Sequence, residues 1–283
     1  MTRLIGFGST SAGNRRKINQ SNCVNRKADI AHGRILVRGV NWLGDAVMTT
    51  PALLRLREAC ADAHITVLAP EKLKGLWQHH PAVNDVLTFA AKETIFSVAS
   101  RLRERKFTDA LVLPNSPRSA LEVFLAGIPR RIGYARGWRG RLLTEAIPSR
   151  AEAVKMHKRT TAEIKQLIAV LTPPPRETLP PAAHHIYDYL HLVASIGGDP
   201  RPLAPLLRAI PFAETGLARL FTAGSKRAAC LIGLNPGAEY GPAKRWPVEN
   251  FAAAANELYR RLDCEFLILG GAGDVALAEQ LRA

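Results

Sequence analysis

From residue 34 onward, short apolar runs alternate with stretches in which apolar residues recur every three or four positions. The short runs are rich in β-branched residues and stop at turn-forming residues, which is typical of strands, whereas the longer period is typical of helices. The strands predicted in the first half are Arg34–Val40, His64–Pro70, Val83–Phe89 and Asp109–Asn115. Strands that alternate with helices at this spacing predict a parallel sheet with helices on both faces.

The amphipathic stretches between the runs predict the helices. One helix, which ends at Ala59, is expected to have Thr50 as its cap and Pro51 at its first position, where proline's missing N–H costs nothing. Ser119 is expected to cap another helix, which ends near Leu125. The remaining helices of the first half are predicted at Leu73–Trp77, Thr94–Arg105 and Tyr187–Ile196. Glycines interrupt five arginines between residues 130 and 141, and this predicts a strand followed by an exposed loop.

The same alternation resumes near the carboxyl end. Its predicted elements are a strand at Cys230–Leu234, a helix from Pro247 to Leu262, a strand at Cys264–Leu269, a turn at Gly270–Gly273 and a helix to Ala283. We therefore predict two Rossmann-like domains, residues 34–224 and 225–283, with an insertion at about 150–183 between proline clusters. Two strands cannot close a core of their own, so the second domain is expected to be incomplete and the chain truncated at its carboxyl end.

Residues 1–33 carry six Lys or Arg and a single acid, with no apolar periodicity. No apolar stretch with a cleavage site follows the charges, which excludes a secretory signal. A basic disordered extension is the favoured interpretation, and an organelle transit peptide is the alternative.

The whole chain is strongly basic, with 39 Lys and Arg against 24 Asp and Glu and a net charge of +15. Such a surface favours anionic partners: nucleic acid, an acidic membrane surface or a phosphorylated glycolipid. Aromatic residues make up only 6% and do not interleave with a basic stripe, so nucleic acid is the weakest of the three. No apolar run approaches the roughly 18 residues of a membrane span, which leaves a peripheral membrane contact.

The cysteine and histidine patterns predict neither disulfides nor a metal site. The four cysteines form no Cys-x-x-Cys pair and are expected to be buried, reduced thiols: Cys23, Cys60, Cys230 and Cys264. His79–His80 and His184–His185 are expected to be surface pairs, because no ligand spacing accompanies them. The chain also has no Asp-x-Asp metal motif, and no metal or other cofactor is predicted.

The turn after Leu234 is followed by Lys244 and Arg245 and then by a helix start. Free backbone N–H groups, the helix dipole and two cations would there favour an anion such as a phosphate or diphosphate. The alternative is a pair of solvated surface charges. Near the other end of the chain, Asp45 follows the first strand, where open α/β sheets place ligands. It is either a functional carboxylate or a cap of the next helix.

Four segments resemble the ADP-heptose:LPS heptosyltransferases of glycosyltransferase family 9. They are Asn41–Asp45, Val112–Ala120, Phe124–Tyr134 and Gly237–Pro247. The resemblance implies a GT-B fold, two Rossmann-like domains with the site between them. It also implies inverting transfer of L-glycero-D-manno-heptose from ADP-heptose to the first heptose of the lipopolysaccharide inner core, at the cytoplasmic face of a Gram-negative inner membrane.

The resemblance also assigns roles to residues. Asp45 would be the catalytic base, and Lys244 would contact the donor diphosphate. The other donor-side candidates are Gly237, Ala238, Arg245 and Gly271. The candidates for the phosphorylated lipid A core acceptor are Asn41, Trp42, Asn115, Ser116, Arg118 and Arg136, with Arg131 as a further arginine. The turn Gly270–Gly273 lacks the spacing of a dinucleotide-binding fingerprint.

Members of this family continue beyond the point where this sequence ends, so the 283-residue chain is expected to be inactive by itself. Two alternatives remain open. One is a nucleotide-sugar epimerase of the same fold, which would consume donor without acceptor. The other is a basic anion-binding module, which would bind DNA or anionic vesicles with a steep salt dependence.

Overall fold

The structure is a computed structural model that describes residues 33–154, 159–170, 178–208, 230–238 and 244–282. The chain divides into two compact units, Met1–Ala209 and Ile210–Ala283. The predicted domain boundary after residue 224, residues 1–32 of the predicted extension and the proline cluster at 173–175 lie outside the described residues. These three remain predictions.

The described strands of the first unit form one six-stranded parallel sheet. They are β1 (Arg34–Arg38), β2 (His64–Pro70), β3 (Asp85–Phe89), β4 (Asp109–Val112), β5 (Arg130–Tyr134) and β6 (Glu145–Ile147). The order across the sheet is β3-β2-β1-β4-β5-β6, and every neighbouring pair runs parallel. The connections change direction between β1 and β4, as in a doubly wound Rossmann sheet, so the predicted parallel α/β fold is confirmed.

Helices cover both faces of this sheet. The described α-helices of this unit are α1 (Leu43–Ala59), α2 (Lys74–Trp77), α3 (Ile95–Glu104), α4 (Pro117–Leu125), α5 (Thr161–Ala169) and α6 (Ile186–Ala194), and all of them except α5 have buried residues. Ile35 and Val37 of β1 point into a core shared with α1 and α6. Leu36, between them, points into a second core shared with α3 and α4. The strand is therefore apolar on both sides, as expected for a parallel sheet with two covered faces.

The start of α1 differs from the prediction. The helix begins at Leu43, so Pro51 lies inside it and Thr50 is not its cap. Proline inside a helix removes one backbone hydrogen bond, the one that would reach the carbonyl of Val47. In this helix the hydroxyl of Thr50 donates to that carbonyl at 2.8 Å. The carbonyl therefore keeps a partner, which makes the proline tolerable.

The loop predicted to be exposed after β5 instead contains a 3-10 helix, Gly137–Leu142, in which Arg139 is buried. Among the described strands and α-helices, two were not predicted. β6 is three residues long and pairs with β5, and such a short strand has no periodicity to detect. α5 lies in the stretch expected to be an irregular insertion. It begins with a capping box in which Thr160 and Glu163 each accept a hydrogen bond from the other's backbone N–H. No residue of α5 is buried, and its apolar side chains Ile164, Leu167 and Ile168 are exposed.

The described part of the second unit has a two-stranded parallel sheet of β7 (Cys230–Leu234) and β8 (Cys264–Ile268). α7 (Val248–Arg261) connects the strands, and α8 (Val275–Arg282) follows β8. These elements match the predicted alternation. A 3-10 turn, Ala272–Asp274, joins β8 to α8 at the predicted glycine turn.

Two predictions about single side chains are wrong. Cys230 is exposed, although Cys60 and Cys264 are buried free thiols as expected. Cys230 belongs to β7, in which every residue is exposed or only partly buried. His80 is not a surface residue: it is buried beside Trp77, because the turn after α2 folds back onto the core. Cys23 lies outside the described residues.

Candidate active site

A cleft of about 270 Å³ opens at the carboxyl edge of the first sheet, where the segments that follow β1 and β4 meet. Parallel α/β sheets bind ligands at this edge, at the point where the strand order reverses. Five residues singled out from the sequence line the cleft: Asn41, Trp42, Asp45, Asn115 and Ser116. The structure thus brings the catalytic candidate together with four of the acceptor-side candidates.

Asp45 lies in the first turn of α1 and is half-buried. Trp42 occupies the N-cap position, so the alternative interpretation of Asp45 as the helix cap is wrong. A carboxylate in the first turn is favoured by the helix dipole, by about 0.3–1 kcal/mol. Among the described residues, nothing donates a hydrogen bond to it or forms an ion pair with it. Its carboxylate is part of the lining of the cleft.

A buried arginine holds the loop between β1 and Asp45. Arg38, 1% exposed, donates to the Asn41 side chain at 3.1 Å and to the Gly39 carbonyl at 2.6 Å. Its guanidinium also pairs with Glu122 at 2.8 Å and lies 4.5 Å from the centre of the Phe89 ring. Burial lowers the pKa of Arg38, and the Glu122 carboxylate opposes this shift. The ion pair with Glu122 fixes Arg38, and Arg38 in turn holds the loop through Asn41.

Ser116 has two roles at the neighbouring edge of the cleft. Its hydroxyl accepts the Ser119 backbone N–H at 3.2 Å, which makes it the N-cap of α4, with Pro117 in the first helical turn. The prediction that Ser119 caps this helix was therefore off by one turn. A proline pre-organised for the first turn sets the true start. Ser116 and Asn115 precede that turn and line the cleft.

The predicted arginines do not line this cleft. Arg118 donates to Glu122 at 2.9 Å and to the Glu93 carbonyl at 2.6 Å, so its guanidinium is held by the scaffold. Arg131 lies near the amino end of β5 and donates to the carbonyl of Leu142 at 2.8 Å. The cleft is at the opposite, carboxyl edge. Arg136 is exposed just beyond β5. It is the one of the three without a described carboxylate or carbonyl partner.

The sequence did not point to the remaining polar wall of the cleft, which comes from Tyr134, His185, Asp188 and Tyr189. The Tyr134 hydroxyl donates to the Asp188 carbonyl at 2.7 Å. His185 contacts the Tyr189 hydroxyl at 2.9 Å and the Asp188 carboxylate at 3.1 Å. The available signal was the cluster of His, Tyr and Asp from residue 184 to 189, but only the packing of α6 on α1 brings it beside Asp45.

Electrostatics distinguishes the two tyrosines from ordinary surface phenols. Burial raises the pKa of Tyr189, and the negative charges of Asp45 and Asp188 raise it further. Burial and Asp188 likewise raise the pKa of Tyr134. Both phenols therefore stay protonated. α1, α4 and α6 all begin at this cleft, so three helix N-termini, each the positive end of a dipole, are directed to one region.

In the second unit, a smaller cleft of about 140 Å³ lies at the carboxyl ends of β7 and β8 and is lined by Pro236, Gly271 and Asp274, among others. Asp274 accepts the Gly271 N–H at 2.9 Å. A side chain at Gly237 would displace the Asp274 carboxylate from its place beside the Gly271 N–H.

The two predicted cations follow the same loop. Arg245 donates to the Ala238 carbonyl at 3.0 Å, which ties the cationic segment to the turn after β7. Lys244 is exposed beside it, ahead of α7. Residues 239–243 lie outside the described chain. The four donor-side candidates Gly237, Ala238, Lys244 and Arg245 are thus parts of one loop, with Gly271 on the neighbouring turn.

Within the described ranges, no group of three His, Cys, Asp or Glu side chains could hold a metal ion. No helix in that part of the chain has the length and apolar character needed to cross a bilayer.

Comparisons with a family profile and with individual proteins both point to heptosyltransferases. The profile of glycosyltransferase family 9 (heptosyltransferase) matches residues 95–283. Lipopolysaccharide heptosyltransferase 2 of Escherichia coli strain K12 is 29% identical over 257 residues, which cover 88% of this chain and 67% of that protein. Lipooligosaccharide heptosyltransferase 2 of Haemophilus ducreyi is 30% identical over 258 residues, covering 88% of this chain and 66% of that protein. The chain thus spans about two thirds of the length of these relatives.

Solved structures agree with the fold. The structure of E. coli ADP-heptose LPS heptosyltransferase II matches with a TM-score of 0.65 and 26% identity, over 88% of this chain and 67% of that one. A glycosyl transferase family 9 protein from Veillonella parvula matches with a TM-score of 0.66 and 19% identity, over 89% and 66%. The second likeness is evidence of the fold alone.

Proposed function

This chain belongs to glycosyltransferase family 9, and we propose from that premise that it transfers a heptosyl group from a nucleotide sugar to a lipopolysaccharide core acceptor. The proposed donor is ADP-heptose, and the proposed acceptor is the first heptose of the phosphorylated inner core. The observation that carries the proposal is the Asp45 carboxylate, half-buried in a cleft at the carboxyl edge of the sheet.

The proposed reaction is a single displacement with inversion. Asp45 accepts the proton of an acceptor hydroxyl while that oxygen attacks the anomeric carbon of the donor. The bond from the anomeric carbon to the diphosphate oxygen breaks on the opposite face, and its electron pair leaves with ADP. A base held in place before the reaction avoids much of the cost of bringing the two groups together.

Negative charge grows on the departing diphosphate, so positive charge fixed near it stabilises the transition state more than the ground state. Lys244 is the proposed main contact, with Arg245 and the backbone N–H groups of Gly237, Ala238 and Gly271 in support. The hydrogen bond from Arg245 to the Ala238 carbonyl keeps these groups together. Because side-chain cations supply the charge, we expect transfer to persist in the presence of a metal chelator.

The acceptor is proposed to bind in the first-unit cleft. Asn41, Asn115 and Ser116 offer hydrogen bonds to sugar hydroxyls, and Trp42 offers an aromatic face. The three helix N-termini at the cleft favour the acceptor's anionic groups. Arg136 is the exposed candidate for a phosphate, whereas Arg118 supports the site through Glu122. The net charge of +15 favours an anionic membrane surface, and we place the protein at the cytoplasmic face of the inner membrane.

Asp45→Asn in the complete gene product tests the proposal. The amide keeps the size of the side chain but cannot take the proton, so we expect kcat to fall by about 100-fold or more. ADP binding, measured by calorimetry, should be unchanged. Near-normal turnover of the variant would remove Asp45 from this role. Donor consumption without acceptor would favour an epimerase, and salt-sensitive binding to DNA or vesicles without any response to ADP-heptose would favour a binding module.

A further inference from the structure

Exposed apolar side chains of the first unit gather at the carboxyl edge of its sheet. Trp42 and Leu43, which follow β1, are 50% and 59% exposed. Phe96, in the first turn of α3 after β3, is 75% exposed, and Trp138, which follows β5, is 57% exposed. Because the strands are all parallel, the segments that follow them lie at one edge of the sheet. Water therefore contacts three aromatic rings and a leucine at the edge that holds the cleft.

These side chains flank the cleft of the first unit. In the order β3-β2-β1-β4-β5-β6, the cleft opens after β1 and β4, so Phe96 lies to one side of it and Trp138 to the other. Trp42 is part of the cleft lining. Beside Trp138, the buried Arg139 donates to the carbonyl of Pro114, another lining residue, at 3.0 Å. From β3 to β5 there are four strand spacings of about 4.8 Å, so the apolar groups span about 19 Å.

Exposed cations accompany the apolar side chains. Segments 39–43, 71–75, 90–96 and 135–138, which follow β1, β2, β3 and β5, contain four exposed Lys or Arg and one exposed acid, Glu71. The four cations are Lys72, Lys74, Lys92 and Arg136. The ammonium nitrogen of Lys72 lies 5.1 Å from the centre of the Trp42 ring, so a cation and an exposed indole adjoin each other. The edge therefore carries an excess of positive charge.

The opposite edge of the sheet is different. Phe124, near the end of α4, is 44% exposed, and the guanidinium of Arg131 lies 5.4 Å from the centre of its ring. Of the four exposed Trp and Phe side chains in the described part of the first unit, three are thus at the edge with the cleft. The fourth has one face of its ring covered by an arginine.

A bilayer surface meets both requirements of the edge with the cleft. Its acyl boundary takes up the rings and the leucine, and each side chain buried in this way gains hydrophobic free energy. Anionic headgroups attract the cations. A nucleic acid would pair with the cations, but its phosphate backbone would leave Leu43 and Phe96 in water. Charge and apolarity together therefore favour an anionic lipid surface.

We propose that this edge is a docking face for an anionic phospholipid bilayer. The docking face consists of four apolar residues and two cations: Trp42, Leu43, Phe96, Trp138, Lys72 and Lys92. With the face on the bilayer, the cleft opens at the headgroups. A lipid-anchored acceptor then reaches the Asp45 carboxylate without leaving the membrane, and in this respect the docking face rests on the proposed function.

Vesicle binding by the complete gene product tests the docking face. Vesicles of equal parts phosphatidylcholine and phosphatidylglycerol are sedimented with the protein. The double variant Phe96→Gln/Trp138→Gln loses two apolar contacts with the bilayer, so we expect its partition coefficient to fall about tenfold or more. Lys92→Gln should lose about fivefold, because it removes one attraction to the headgroups. Phe96→Leu, which stays apolar, should bind like the wild type.

Two substitutions at the opposite edge are the matched controls. Phe124→Gln removes an exposed ring, and Lys106→Gln removes an exposed cation ahead of β4. Both should bind vesicles like the wild type. Kinetics give a second measurement: the double variant should raise the KM of an acceptor embedded in vesicles and leave that of a deacylated, water-soluble acceptor unchanged.

Equal vesicle binding by the double variant and the Phe124→Gln control would overturn the docking face. A lower denaturation midpoint with unchanged vesicle binding would also overturn it, because another part of the protein would then cover these side chains. Weaker binding to DNA, with vesicle binding unchanged, would assign the face to a nucleic acid. Vesicle binding needs no turnover. A protein that docks but transfers no sugar would therefore refute the proposed function alone, and one that transfers sugar but ignores vesicles would refute the docking face alone.

Discussion

His80 is a buried imidazole with little room for a charge. The Ala82 N–H donates to its Nδ1 at 3.3 Å, and its ring packs against Trp77 in an edge-to-face contact. Burial, with a smaller contribution from the positive charge of Arg208, lowers the pKa of His80 from 6.5 to about 4. The folded protein therefore holds this histidine neutral at pH values where the unfolded chain protonates it.

The stability of the protein should fall on acidification for this reason. Between pH 6.5 and 4 the unfolded state binds more protons at His80, so the free energy of unfolding decreases as the pH falls. We expect His80 to account for about 2 kcal/mol of loss between pH 7 and 5. Urea denaturation at several pH values measures it. His80→Gln should flatten the pH dependence and His79→Gln, at an exposed neighbour, should not; equal slopes in both would contradict the assignment.

At the scale of single residues, the sequence identified candidate site residues that directly follow strands. Asp45 was singled out because open α/β sheets place ligands at the carboxyl ends of their strands, and Asn41 and Asn115 because of the family resemblance. All three line the cleft. The method failed for His185 and Tyr189, which belong to a helix far along the chain. It also could not show that Arg118 meets Glu122 and a carbonyl, because no local pattern indicates those partners.

Helix starts set much of the geometry at the scale of elements. α3 and α4 begin in the same way. The Thr94 hydroxyl caps α3 and the Ser116 hydroxyl caps α4, and each accepts a backbone N–H of its own helix at 3.2 Å. The two caps differ in position, since only Ser116 lines the cleft. This pair allows the structural and the binding role of a cap to be separated.

Thr94→Ala and Ser116→Ala should each cost about 1 kcal/mol, because each leaves a backbone donor of the first turn without its cap. Chemical denaturation measures this loss. Only Ser116→Ala is expected to raise the acceptor KM, since only that hydroxyl can reach a ligand in the cleft. Equal acceptor KM values in the two variants would remove Ser116 from the acceptor site, while an unchanged stability would show that the cap is unimportant.

Element prediction succeeded where one physical signal dominated. β1, β2 and β4 are buried on both faces, so their apolar runs are unambiguous. Pro51 misled the prediction because proline usually opens a helix, whereas the Thr50 hydroxyl here supplies the bond that Pro51 cannot make. β6 exists because β5 offers it a partner, and three residues carry too little pattern to reveal that.

At the scale of the whole molecule, the most evident property is the excess of positive charge. The net charge of +15 cannot by itself indicate which cations bind a ligand. Position distinguishes them: Lys244 follows the strand-ending loop of the second unit, and Lys165 lies on the exposed α5. Both side chains are exposed, so removing either changes the net charge equally.

Lys244→Ala should weaken ADP binding about tenfold or more, since a charge-assisted contact to a phosphate contributes about 1.5–3 kcal/mol. Lys165→Ala should leave the affinity unchanged, although it removes the same charge. Isothermal titration calorimetry with ADP at fixed salt concentration compares them. Similar losses in both variants would mean that the overall field attracts the nucleotide, and no loss in either would refute the diphosphate assignment.

The sequence alone determined the parallel α/β class, the loops at the strand ends and the family, because burial patterns and short motifs are local properties of the chain. Tertiary structure decided which polar groups share a cleft. Asp45 shares a cleft with Tyr189 and His185 only because α6 packs on α1, and Arg38 holds Asn41 only because Glu122 is buried beside it. Contacts between residues distant in sequence depend on packing, and no local pattern encodes them.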